Sequence, residues 1–262
     1  MSRASSSQAL AKPWRRPSES QVGFSYFVSK EASNYCDDVL SKKGQDLIER
    51  NVHIHDFKGF EMLEQFEQRG WVDAFLGYDD AYPEMVQEFL TNVIDIDLSL
   101  GSFTTYPHGM CMNFSVNSIH TMLNLPIVDN PQWPLAPSLM PSRCEVLREL
   151  TRGVYTVLNL PNQGDLASQY RILNKIMTSV ISPSDNISDV NKERVLFLYG
   201  LGRGFSVDLA WVLWLEIYNY VKHPPGTVAL PHISLLTRFM RSKLVPILKG
   251  EKPIKRKSPI DN

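Results

Sequence analysis

The chain of 262 residues is 43% hydrophobic and 21% charged, apolar and long enough for a sizeable core and unlike a disordered or fibrous protein. Cys36, Cys111 and Cys144 are odd in number and far apart. That argues against a disulfide framework, fits a reducing compartment and reads as buried thiols. The net charge of −1 hides a polarity: residues 51–100 carry two basic and eleven acidic side chains, residues 201–262 ten basic and four acidic. Such polarity suits head-to-tail self-association or an anionic partner at the basic end, and solvated faces account for it as economically.

Residues 1–20 are rich in Ser, Ala, Arg and Pro, lack apolar periodicity, and read as a disordered arm. No apolar run follows the basic residues there, so no secretory signal is expected. Ala32 to Glu49 has the composition of a short helix. Phe57 to Arg69 alternates Phe60, Met62, Leu63 and Phe66 with Glu61, Glu64 and Glu67, a helix that Gly70 ends, with Trp71 and Phe75 packing back on the core. Pro83 opens the next helix, where its missing N–H needs no partner, and Met85, Val86, Phe89, Leu90 and Val93 recur at helical spacing.

From Asn92 the period changes to two. Val93, Ile94, Ile96, Leu98 and Leu100 set against Asp95, Asp97 and Ser99 predict a strand with one wet face. Gly101-Ser102 breaks it, and Met110 to Phe114 returns as the antiparallel partner across a loop holding Pro107 and Gly109. Ser115 then caps a short helix carrying Val116, Ile119, Met122 and Leu123, ended before Pro126.

Five prolines and Trp133 make residues 126–141 an irregular connection. Ser142 and Glu145 form a capping-box pattern for a helix to Leu150, and Leu166 to Ile181 supplies another. Ser188-Asp189 begins the next helix, which Gly202 and Gly204 end. Ser206 caps the helix after it, with Asp208 near the positive end. Its apolar run, Leu209 to Leu215, lies between Asp208 and Glu216 and is far short of the ~20 residues that cross a bilayer, so it reads as a core helix. Pro224-Pro225-Gly226 stops it, and Pro231 starts a last helix through Arg241. The basic tail beyond residue 246 is expected to be disordered.

The segments Arg69-Gly70-Trp71, Tyr82-Pro83-Glu84-Met85-Val86…Phe89 and Phe114-Ser115…Ile119…Leu123 together resemble the family called putative plant transposon proteins. Pro231-His232-Ile233-Ser234-Leu235-Leu236-Thr237-Arg238 is similar to that family's Pro-Ser-Leu-Ile-Thr segment, with His and Ile where small and leucine residues are more usual. The likeness spans roughly Val52 to Pro246. It implies a plant protein derived from a transposable element. The family has no established biochemical activity, so the resemblance carries over no catalytic residues.

Candidate chemistry is sparse. Asp95 and Asp97, at alternate strand positions, would share one face, where paired carboxylates could hold divalent metal as in nucleases and transposases. The third acid this needs has only Glu145 and Glu149 as candidates. His53-Ile54-His55-Asp56 resembles the histidine pair of some metallohydrolases but lacks a further ligand at motif spacing, and His108, His120, His223 and His232 are scattered. Gly200-Leu201-Gly202-Arg203-Gly204 follows a helix and lacks the Gly-Lys-Ser/Thr ending of a phosphate loop, so helix termination explains its glycines. Lys252, Lys255, Arg256 and Lys257 form a short basic cluster of the kind that directs nuclear import or contacts phosphates, and solvating tails have the same composition.

These observations predict an α+β, predominantly helical fold: one helical domain over residues 21–246 with a central antiparallel hairpin, flanked by the 1–20 arm and the 247–262 tail. No cofactor, metal site or membrane span is expected, and the chain should reside in the nucleus or cytoplasm. The function expected is non-enzymatic association with itself, with other element proteins, or with nucleic acid through the tail. The alternatives are a metal-dependent nuclease or transposase using Asp95 and Asp97, and a degenerate element fragment without function.

Overall fold

The computed structural model describes residues 27–36, 48–50, 52–53, 61–76, 80–153, 160–184, 188, 190–223 and 230–255. The expected N-terminal arm, most of the Ala32–Glu49 segment and the first turn of the Phe57–Arg69 helix lie outside them. The fold is α+β and predominantly helical. In chain order it runs α1 (Lys30–Tyr35), α2 (Glu61–Gln68), α3 (Pro83–Thr91), β1 (Ile94–Asp97), β2 (Ser102–Thr105), β3 (Met112–Ser115) and α4 (Val116–Leu123). Then come α5 (Arg143–Thr151), α6 (Ser168–Ile176) with a π turn over Met177–Ile181, α7 (Lys192–Gly202), α8 (Leu209–Lys222) and α9 (Ile233–Ser242). Among the described residues no helix is long and apolar enough to cross a membrane.

Local chemistry sets most of these boundaries. Helix α2 closes with Gly70 at φ 66°, where a side chain would be strained. Gly70 N–H donates to Glu67 O (2.9 Å) and Trp71 N–H to Phe66 O (2.9 Å), the paired bonds of a Schellman motif. Its usual apolar contact is here aromatic: Trp71 meets Phe66 edge-on at 5.5 Å. Pro83 opens α3 as expected, and Met85, Val86, Phe89 and Leu90 are its buried face. The buried Asn92 follows. Its amide accepts from Val28 N–H (2.9 Å) and donates to Tyr106 O (3.2 Å), fixing where the chain enters the sheet.

The sheet differs from the expected hairpin by one strand. β1 pairs with β2 and β2 with β3, all antiparallel, in the order β1-β2-β3. Ser102–Thr105, expected to lie in the break at Gly101-Ser102 and the loop after it, is the central strand, and Met112–Ser115 pairs with it in the register Phe103↔Phe114. Four residues with a single large apolar side chain offer too little alternation to be seen as a strand. Phe103, Thr105, Met112 and Phe114 point inward, so the meander has one buried face. Ser115 caps α4 as predicted and shares a reciprocal box with Ser118.

One capping box and two helix starts are corrected. Ser142 accepts from Glu145 N–H (3.3 Å), but the Glu145 carboxylate turns instead to the Tyr199 hydroxyl (2.7 Å). Helix α7 begins after Asn191, whose amide accepts from Arg194 N–H (2.8 Å), rather than at Ser188-Asp189. Asp208, not Ser206, caps α8 by accepting from Trp211 N–H (3.1 Å). Ser206 is engaged elsewhere: its N–H donates to the Gln132 side chain (2.9 Å), pinning the proline-rich connection. Of the thiols only Cys36 is buried; Cys111 and Cys144 are exposed, which corrects the expectation of three buried ones.

The centre of the core is aromatic. Phe89 of α3, Phe103 and Phe114 of the sheet, Trp214 of α8 and Phe239 of α9 are all but inaccessible. Their centroids lie 4.9 to 6.2 Å apart in mostly edge-to-face pairs. Above α6, Gly202 approaches the Tyr170 ring so closely that a methyl group would collide with the phenol oxygen, which donates to Glu149 (2.8 Å). Gly202→Ala is therefore expected to destabilise the fold by about 1–3 kcal/mol through overpacking, read as a lowered urea midpoint. The same change at Gly204, with open space around it, should cost only its backbone strain at φ 73°.

Candidate functional site

The Asp95–Asp97 pair does not form the shared face expected of it. Ile94 pairs with Thr104 and Asp97 with Ser102, so β1 carries one extra residue, and Asp95 sits in the bulge at φ 48°. The two-residue alternation is broken between the carboxylates. Asp97 closes the β1–β2 connection, accepting from Ser99 Oγ (2.6 Å), Ser99 N–H (2.8 Å) and Leu100 N–H (3.1 Å). The Ser99 hydroxyl, with these amides, holds it below the usual carboxylate range. Glu145 and Glu149, the candidate third acids, accept from Tyr199 and Tyr170. Among the described residues no group of three or more His, Cys, Asp or Glu is placed to hold a metal ion. His55 lies outside them.

The basic C-terminal segment is anchored as far as Lys255, where a free tail is expected. After α9 the chain turns at Leu248, whose N–H donates to Glu251 Oε2 (2.6 Å). Ile254 and Ala81 exchange both backbone hydrogen bonds, at 2.8 and 3.1 Å. Between these points Glu251 Oε1 meets His108 Nε2 at 2.9 Å, while Nδ1 of the same ring meets Pro246 O at 2.9 Å. Glu88 completes the clasp: it accepts from His108 N–H (2.7 Å) and lies 3.6 Å from Nε2. Both ring nitrogens face acceptors, Nδ1 the Pro246 carbonyl and Nε2 the Glu251 carboxylate. Burial pushes the Glu88 carboxyl up, opposed by the His108 N–H.

This anchoring sorts the segment by charge. Glu251 turns inward to His108, whereas Lys249, Lys252 and Lys255 are exposed at intervals of three residues. Arg256 and Lys257 lie outside the described residues. The strap also folds the basic end of the chain onto the acidic stretch that contains Ala81 and Glu88, so part of the charge polarity closes within the molecule.

A second feature escaped the sequence reading. Beneath the proline-rich connection lies a cavity of about 220 Å³ between the π turn, α7 and α8. Trp133, Met177, Ile181, Phe197 and Leu215 give it apolar walls, and Ser182, Glu193, Arg194 and Glu216 bring polar groups to it. Glu216 accepts from Ser182 Oγ (3.2 Å). Burial pushes its carboxyl up to about 7. Burial also lowers the Arg194 guanidinium from its ordinary value. The signal was present: Glu216 is an acid inside a helix that is otherwise apolar nearly all round, where an unpaired charge would be costly.

The Pro231–Arg238 segment holds a third buried polar group. Glu49, completely inaccessible, accepts from Ser234 N–H (2.8 Å) and Leu235 N–H (3.0 Å), and so caps α9 from 185 residues away. His232, buried at φ 50° beside it, is pushed down to about 3 by burial and is neutral at pH 7. His120 bridges Leu125 O and the Asp208 carboxylate (3.2 Å), tying α4 to the start of α8. His108 and His120 act as internal ties, whereas both ring nitrogens of the buried His232 have no hydrogen-bond partner among the described residues.

These features define a predominantly helical α+β domain, with an anchored basic strap and a small cavity lined by polar and apolar groups among its pockets. The chain belongs to the family described as the putative plant retrotransposon-related domain, whose model matches residues 67–246, more than half its length. It is thus a retrotransposon-related plant protein, as the motif resemblance implied. No curated protein and no solved structure matches it.

Two measurements probe this geometry. His108→Ala should leave Glu88 and Glu251 facing each other without the ring between them, at a cost of about 3 kcal/mol, and loosen the strap. Faster hydrogen exchange at the Ile254 amide would report it, with the Phe103 amide in the central strand as the unaffected control. Glu216 holds a proton in the folded state that the unfolded chain, with a carboxyl near the ordinary 4.5, gives up earlier. Its contribution is therefore full below about pH 4.5 and lost as pH rises to about 7. Urea unfolding of Glu216→Gln should lack this decline, on the order of 3 kcal/mol across that window.

Proposed function

We propose that this protein works without chemistry of its own, as an association module that contacts nucleic-acid phosphates through the strap. The observation that carries the reading is the sorting of charge there: Glu251 is drawn inward to His108 while Lys249, Lys252 and Lys255 stand exposed on a backbone fixed by Ala81 and Ile254. A row of cations held by main-chain bonds loses less conformational freedom on meeting a phosphate backbone than a free tail does. Arg256 and Lys257 extend the same cationic run in sequence. The family match supports an element-derived context in which nucleic acid is a natural partner. The commitment of Asp97 to a turn, and of Glu145 and Glu149 to tyrosines, weighs against the alternative of a metal-dependent nuclease.

The test is fluorescence-anisotropy titration of generic duplex DNA and RNA over a salt series, without magnesium. Lys249, Lys252 and Lys255 exchanged together for Gln should flatten the plot of log K against log salt by about 2–3, as three lost phosphate contacts require. The anchor residues Glu251 and Ile254 are left in place, so a change in slope reports charge and not unfolding. No binding at low salt, or a slope unmoved by the triple exchange, would remove the strap from the proposal.

A further inference from the structure

The cavity beneath the proline-rich connection has the make-up of a ligand site. Its volume of about 220 Å³ exceeds the roughly 150 Å³ that takes benzene and falls below that of drug-sized pockets, so it suits a ring with a short side chain. Its walls are suited to such a body: Trp133 and Phe197 stand edge to face with centroids 5.1 Å apart, and Leu215 lines the α8 side. Its charges are unequal. Two carboxylates, Glu193 at the exposed rim and Glu216 inside, are set against the single guanidinium of Arg194. Glu216 accepts one hydrogen bond, from Ser182, which leaves its other oxygen without a hydrogen-bond donor among the described residues.

The geometry points to a binding site for a small organic cation, a primary amine on an aromatic or compact aliphatic body. Its ammonium group meets Glu216, and its apolar part lies against Trp133 and Phe197. The ammonium supplies the donor that the second carboxylate oxygen lacks, and the aromatic lining gives its apolar body a matching surface. A carboxylate ligand would meet the opposite balance of charge. This site is independent of the strap and of its role with nucleic acid.

The amine must meet an ionised Glu216, so binding is linked to the proton that this group carries. The charged groups facing it are Glu193, which favours protonation, and Arg194, which opposes it, while Ser182 stabilises the ionised form. Affinity for the amine therefore rises with pH, by about tenfold between about pH 6 and 8 for a single group titrating near 7.

Calorimetric titration of the full chain with 2-phenylethylamine, 2-phenylethanol and phenylacetate tests this. The expected result is one-to-one binding of the amine below about 1 mM, at least tenfold tighter than the neutral alcohol, with the anion weakest. Glu216→Gln should abolish that preference, and its fold is checked by circular dichroism. The comparison of three ligands on the unaltered chain needs no variant at all. Absence of saturable amine binding, equal binding of the alcohol, or preference for the anion would each overturn the proposal.

Discussion

The structure depends on the packing of five aromatic rings. Phe89, Phe103, Phe114, Trp214 and Phe239 come from α3, two strands, α8 and α9, and no two of them are neighbours in sequence. Each buries a large apolar surface, and edge-to-face contact adds about 0.5–1.5 kcal/mol per pair beyond area burial. A sheet of three four-residue strands is too small to persist alone, so it is held because Phe103 and Phe114 seat it against helices. The cluster thus joins the local hairpin geometry to the late helices, and the positions of the cavity and strap follow from it.

Around that apolar centre the polar side chains serve mainly as ties. Carboxylates cap helices (Asp208, and Glu49 from across the sequence), close a turn (Asp97), or accept from buried phenols (Glu145, Glu149). Glu49, which is completely inaccessible, is tolerated there because it meets two amide donors. Glu216 differs. Burial pushes its carboxyl up to about 7, Glu193 adds to this, and the Ser182 hydroxyl and Arg194 only partly oppose it. The contrast between satisfied acids and one poorly satisfied acid separates scaffold from candidate site more clearly than residue type does.

Much of the fold was legible where local chemistry decides. Pro83 at a helix start, Gly70 with Trp71 at a helix end, Ser115 as a cap and the apolar run of α8 are short-range signals, and each stands where periodicity and capping preferences put it. What was missed depends on distant partners. The strand Ser102–Thr105 exists because β3 lies beside it, and Asp95 leaves the strand pattern because a bulge absorbs a register shift. Asp208 displaced Ser206 as the cap of α8 because Gln132 claims Ser206, and Asn191 rather than Ser188-Asp189 caps α7. The candidate sites were less legible still. The lysines of the tail could be read as a cluster, but their anchoring required His108 and Glu88, more than a hundred residues upstream. The cavity required three helices and a connection with no periodicity to read.

The capping of α9 by Glu49 also bears on how the chain is made. Glu49 is synthesised 185 residues before Ser234, so over that interval the carboxylate lacks the donors it has in the fold. Phe89, Phe103 and Phe114 likewise wait for Trp214 and Phe239. Neither the acid nor the rings reach their final environment before α9 leaves the ribosome. The order of synthesis therefore runs opposite to the logic of the packing. Phe89, Phe103 and Phe114 stay incompletely buried until α8 and α9 are available, so this core closes on partners from distant sequence.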